Sequence, residues 1–250
     1  MSTSSSPRNS SREGQRFATT RWSIVVAAGK PDAASAKTAL ATLCETYWYP
    51  VYAFVRRRGY SAHDAQDCTQ EFFAALLEKD YVRTADRERG RFRTFLLTAV
   101  SRFLSKQKDS ARARKRGGGR KILSIDVEDG EGRYQLEPVD RWTPELMYER
   151  SWALALLERV LLRLGQRYAE QGKSALFDRL KPFLTGAETT EMNADLTAEL
   201  DLTEGALKVA VHRLRRRYRE LLKEEIADTV ASPDDVPNEL EYLLAALRGR

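Results

Sequence analysis

Apolar positions recur at helical period along most of this chain. Phe92, Phe95, Leu96, Ala99, Val100, Phe103 and Leu104 fall at i, i+3, i+4, i+7, i+8, i+11 and i+12, which predicts an amphipathic helix starting near Arg91. Leu207, Val211, Leu214, Tyr218 and Leu221 form a second stripe at the same period. Residues 36–58 read as a helix with Leu40, Leu43, Tyr47, Val51, Phe54 and Val55 inward. Pro50 is expected to kink or restart it, and Gly59 to end it. Ser61 opens the next helix, with Asp64 placed three residues on in a capping arrangement and Ala65, Cys68, Thr69, Phe72 and Leu76 buried. Thr143-Pro144-Glu145 supplies a cap, a first-turn proline and an acid at the positive end. The helix that follows, to about 168, carries Met147, Trp152, Leu156, Val160 and Leu164. A further helix over about 173–184 carries Ala175, Leu176, Leu180 and Leu184, and a short acidic one spans 238–244. Thr20 to Val25 fits either a short helix or a docked arm, and residues 80–90 read as a charged loop. No strand pattern or internal repeat is evident.

The stretch 194–222 carries more than periodicity. Leu196 and Leu200 make the inner face of a short helix, Asp201-Leu202-Thr203-Glu204 turns the chain, and Thr203 is placed to cap the next helix. A short helix, a tight turn and a helix that begins with small residues is the helix-turn-helix pattern. The apolar residues at 196, 200, 202, 207 and 210 fit it. Thr197 departs from it, where alanine favours close helix contact. Asp201 departs too, where glycine is usual, although Asp tolerates a left-handed turn. Opposite the apolar stripe lie Gly205, Lys208, Val209, His212, Arg213 and Arg216. Six Lys/Arg and no acid fall between Lys208 and Arg219. An unpaired basic face fits a polyanion. Taken alone, it also fits a solvated face of an ordinary helical domain.

Composition narrows the class. The 250 residues are 42% hydrophobic, enough for two modest cores, with a net charge of +6. The charge is segregated. Residues 102–121 hold nine Lys/Arg against one acid, 126–149 eight acids against two Arg, and 224–250 seven acids against two Arg. Such alternation suits a nucleic-acid binder with acidic connectors. Cys44 and Cys68 sit at apolar helix positions and read as buried reduced thiols, with no disulfide framework. No apolar run approaches the roughly 18 residues of a membrane span. The Ser-rich N-terminus lacks the apolar core of a secretory signal and reads as disordered. A cytoplasmic protein is expected.

The resulting organisation is all-α: two small helical domains joined by a flexible linker, plus a short C-terminal helical extension. The boundaries are a disordered tail at 1–19, a first helical domain at 20–116, a linker at 117–142 with a small apolar patch at 122–125, a helix-turn-helix domain at 143–225, and an acidic extension at 226–250. In the first domain Asp64, Asp67, Glu71 and Glu78 line one face. Three readings apply to that ridge: a solvated face, a divalent-metal site, or a dock for a basic partner. Metal is the weakest, because His63 and His212 are far apart in sequence and no Gly-rich phosphate loop lies nearby. Phe92 and Phe95 beside Arg91 and Arg93 could stack unpaired bases. We read the rings as core and the basic residues as the nucleic-acid candidates.

These motifs carry a resemblance. The run Asp64-Ala65-Gln66-Asp67-Cys68-Thr69-Gln70-Glu71-Phe72-Phe73 resembles the region 2 helix of bacterial sigma factors, as does Arg89-Gly90-Arg91-Phe92-Arg93-Thr94-Phe95-Leu96. The helix-turn-helix ending Val211-His212-Arg213-Leu214-Arg215-Arg216-Arg217 resembles region 4. Two helical domains with only a linker between them is the layout of extracytoplasmic-function sigma factors. The likeness covers about residues 20–225; residues from about 226 lie outside the minimal plan.

The resemblance implies a division of roles. Asp64, Asp67, Gln70 and Glu71 would dock on the clamp coiled coil of the largest subunit of core RNA polymerase, with the flap a further polymerase contact. Arg89, Arg91, Arg93, Arg102, Lys106 and Lys108, with Arg112 and Arg114 on backbone, would melt the −10 element and hold the single strand. Thr203, Glu204, Gly205, Lys208, Val209 and His212 would lie at the −35 bases of duplex promoter DNA, with Arg213 and Arg216 on phosphate. An anti-sigma factor or other regulator is a further partner of this class. No covalent chemistry, catalytic residue, metal or cofactor is implied. Two other classes compete: a self-sufficient helix-turn-helix regulator binding duplex DNA as a dimer, and a metal-dependent nuclease using Asp64, Asp67 and Glu71.

Overall fold

The computed structural model describes residues 25, 28, 33–78, 85, 90–111, 127–137, 142–184 and 194–249. Its helices are α1 (Ala33–Arg57), α2 (Ala62–Glu78), α3 (Phe92–Ala111), α4 (Val127–Gln135), α5 (Pro144–Glu170), α6 (Ser174–Leu180), α7 (Ala194–Glu199), α8 (Glu204–Ala227) and α9 (Val236–Arg248). No strand occurs among the described residues. The all-α class is therefore established. The tail at 1–19, the patch at 122–125, Gly117 to Gly119 and the side chains of Leu40 and Glu78 lie outside the described residues. Val25 and Ala28 are helical and buried in the core.

The apolar stripes predicted from periodicity face inward. Leu207, Val211, Leu214 and Leu221 of α8 are buried, as are Phe92, Leu96, Val100 and Leu104 of α3. α1 runs through Pro50 without interruption, because its apolar face is held along its length by neighbouring helices. Gly59 follows it at φ +90, a conformation that L side chains rarely adopt. In the helix over 174–184 the deepest side chains are Phe177, Leu180 and Phe183, whereas Ala175, expected inward, is exposed. Phe177 fills the space beside Gly165, and its ring lies 5.6 Å from that of Tyr168.

α5 is the element around which the rest is assembled. Thr143 caps it, with its side chain accepting from the Leu146 amide at 3.2 Å, and Pro144 occupies the first turn. Its N-terminal half packs on α1, where the Phe54 and Tyr148 rings meet edge-on at 6.4 Å. Its C-terminal half packs on α6 and α8. The Tyr218 hydroxyl donates to the Leu157 carbonyl, and Arg163 pairs with Glu225 of α8 at 2.7 Å. Since one helix contributes to both halves, the buried residues form a single cluster from Val25 to Ala246. Two separate cores were expected from the sequence.

A second difference lies in 117–142, expected to be a flexible linker throughout. Residues 127–135 form α4, docked on α1. Trp48 lies against Gly130, Arg56 forms a bidentate pair with Glu131 at 2.8 and 2.9 Å, and its guanidinium stacks on Tyr134. Hydrogen bonding from Arg56 holds the Glu131 carboxyl below its ordinary pKa against the opposing effect of burial. A helix with two internal glycines has little intrinsic propensity. Docking, which its isolated sequence does not announce, stabilises it.

α7, a turn and α8 follow in the expected order. Asp201 adopts φ +50, so this residue does take the left-handed conformation usually given to glycine. Thr203 accepts from the Ala206 amide at 3.2 Å. Leu196, Leu200, Leu202 and Ala210 pack against the core.

Two stability outcomes follow from these contacts. Gly130→Ala places a Cβ against the Trp48 indole and should cost about 1–3 kcal/mol. A thermal melt equal to that of the native chain would contradict this. Thr203→Ala should cost about 1 kcal/mol by removing the cap of α8, visible as faster amide exchange at Gly205 and Ala206.

Candidate nucleic-acid interface

The exposed face of α8 is built by default: its other side is committed to the core. Lys208, Val209, His212, Arg213 and Arg216 all point to solvent, as do Thr203, Glu204 and Gly205 at its N-terminus. His212, Arg216, Arg219, Glu220 and Lys223 line a shallow concavity on this face. Two internal pairs temper the charge. Lys208 meets Glu204 at 2.5 Å and Arg216 meets Glu220 at 2.9 Å, both one turn apart and solvent-exposed. Such exposed pairs are weak and exchange readily for another anion. Not every cation of the helix is available. Arg215 donates to the Phe183 carbonyl at 3.1 Å, and Arg217 stacks on Tyr168.

On α2, Asp64, Asp67 and Glu71 are exposed and share one face at i, i+3 and i+7. Ser61 caps the helix, its hydroxyl accepting from the Asp64 amide at 3.1 Å and donating to the Asp64 carboxylate at 2.7 Å. Asp67 lies 3.3 Å from His63, and Glu71 accepts from the Gln107 amide. Gln70 does not belong to this ridge. It is buried, because it falls on the inward side beside Thr69. Among the described residues no group of three His, Cys, Asp or Glu could hold a metal. No described helix is long and apolar enough to cross a membrane. Cys44 and Cys68 are free, and burial pushes both thiols up to about 12.

The basic candidates around α3 divide sharply. Arg102 and Lys106 are exposed. Arg89, Arg112, Arg114 and the side chain of Lys108 lie outside the described residues. Arg93, expected at DNA, is instead interior, with its side chain only 2% exposed. Its Nε donates to Glu149 of α5 at 2.8 Å, and its two terminal nitrogens donate to Glu239 of α9. The guanidinium also lies 4.1 Å from the Trp152 ring centre and 4.8 Å from that of Tyr242. Arg91, partly exposed, reaches the same Glu239 at 2.7 Å and the same Tyr242 ring at 4.9 Å.

The physical reason is compensation. A buried guanidinium needs matched anions, and here two carboxylates supply them. Burial lowers the Arg93 pKa, but its hydrogen bond to Glu239 and the charges of Glu149 and Glu239 more than offset it, and the net shift is upward. Burial lifts the Glu149 carboxyl above its ordinary range, opposed by Arg93. Removing one partner from such a cluster costs about 3–5 kcal/mol, because a buried charge is left uncompensated.

Glu149, Trp152, Glu239 and Tyr242 were not singled out from the sequence as partners of Arg93. A signal was present. Glu149 lies on the stripe of Trp152, Leu156 and Val160, and Glu239 on that of Leu243 and Ala246. An ionisable group on an apolar stripe requires a buried partner.

No curated protein and no solved structure matches the chain. Residues 43–116, which contain the carboxylate ridge and α3, match the family model for Sigma-70 region 2. The match covers less than half of the chain and is a likeness to the sigma-70 family over those residues.

Proposed function

We propose that the chain is a sigma factor of the extracytoplasmic-function type that directs core RNA polymerase to a two-element promoter. The region 2 match, followed by a capped helix with an exposed basic face, is the observation that supports this reading. The roles separate by charge. Asp64, Asp67 and Glu71 present carboxylates to a basic surface of the polymerase. Lys208, Val209 and His212 lie toward base edges of a −35 element in the major groove, and Arg213 and Arg216 toward its phosphates. Arg102 and Lys106 hold the opened strand near the −10 element. Each DNA contact is weak alone. Attachment to one polymerase makes the second contact effectively intramolecular. Strand opening is then driven by capture of unstacked bases and by phosphate contacts, with no bond made or broken by this protein.

Run-off transcription with purified bacterial core enzyme tests the reading. Defined transcripts should appear only when the chain is added. Their absence across a library of upstream DNA from a bacterial genome would overturn it. The charge assignment has its own test. Asp67→Lys reverses charge at the centre of the ridge and should weaken core binding at least about tenfold, about 1.4 kcal/mol, while leaving duplex DNA affinity unchanged. Undiminished recovery of core enzyme in a pull-down would contradict it.

A further inference from the structure

The network around Arg93 joins residues that lie far apart in the chain. Arg91 precedes α3 and Arg93 lies in its first turn, Glu149 and Trp152 lie in α5, and Glu239 and Tyr242 lie in α9. Glu239 is fully buried and meets both arginines. α9 is no loose tail. Ser232 and Asp235 form a capping box at its entry, Leu243 and Ala246 are buried, and Gly249 at φ +73 closes its last turn against Trp142. It packs on α5 and α8. The acidic ridge on α2 and the basic face of α8 stay exposed in this arrangement.

We propose that α9 is an internal latch in which Glu239 occupies Arg91 and Arg93 in place of the phosphates of a single DNA strand, so that the free chain is held closed to that strand. This rests on the promoter reading given above and adds Arg91 and Arg93 to Arg102 and Lys106 as groups that would meet the opened strand. The chemistry is an exchange of anions: the carboxylate of Glu239 and a phosphate diester satisfy the same guanidinium donors. The latch is releasable because α9 is short. A helix of 13 residues is marginal on its own, and its hold depends on Glu239, the Tyr242 ring and an apolar face that buries Leu243 and Ala246 and packs Val236, Leu240 and Leu247 against the core. Binding of the strand is then reduced by the fraction of molecules that are open, and any partner that draws α9 away restores it.

The test uses the full chain without polymerase. A fluorescent single-stranded oligodeoxynucleotide of mixed sequence reports affinity by anisotropy, and amide exchange over 236–248 reports opening. Glu239→Gln, which keeps the shape and removes the charge, should speed exchange in α9 and raise affinity about tenfold or more. Glu241→Gln, two residues on and on the exposed opposite side of the helix, should leave affinity within about twofold of the native chain. Arg93→Gln added to Glu239→Gln should abolish the gain. If Glu239→Gln fails to fold, Tyr242→Ala carries the test, since that ring is 40% exposed and its loss should move affinity the same way. Faster exchange with no gain in affinity would overturn the latch while leaving the promoter reading intact. Failure of run-off transcription would remove the promoter reading by itself.

Discussion

A guanidinium removed from water must be met by anions, and that requirement at Arg93 constrains how this chain closes. Glu149 and Glu239 come from helices that the sequence separates widely, yet both must reach the same group. Trp152 and Tyr242 complete the enclosure with aromatic faces suited to a cation. The start of α3, the first half of α5 and the C-terminal helix are thereby held together in this closed arrangement. Buried ion networks are poor sources of net stability, and misplacing one member leaves a bare charge.

The same economy appears in α5. Its N-terminal half completes a packing surface for α1, and its C-terminal half completes one for α6 and α8. Functional groups are carried on the outside of this frame. The carboxylates of α2 and the cations of α8 are exposed because the opposite faces of those helices are committed to the core. Their positions follow from packing.

Much of this was legible from residue order. The stripes of α3 and α8, the caps at Ser61, Thr143 and Thr203, and the left-handed turn at Asp201 all act through neighbours within one or two turns, which is where sequence pattern has most content. What escaped depends on distant partners. α4 has two internal glycines and a surplus of acid, and it is helical because Trp48 and Arg56 receive it. Arg93 looked like a surface cation because neither Glu149 nor Glu239 is near it in sequence. Gln70 was joined to the docking carboxylates by the family resemblance, although its position in the helix turns it inward. Charge counts describe what a segment carries; they do not say which charges are already spoken for inside the molecule.

The sharing of α5 bears on how the protein comes apart. Severing the chain just before Thr143 would leave α1 without the surface that covers Phe54, and would leave the N-terminal half of α5 with Tyr148 and Trp152 uncovered. Neither fragment would keep a closed interior. Loss of order in one half therefore propagates to the other, and melting of the described helices is expected to be a single cooperative event.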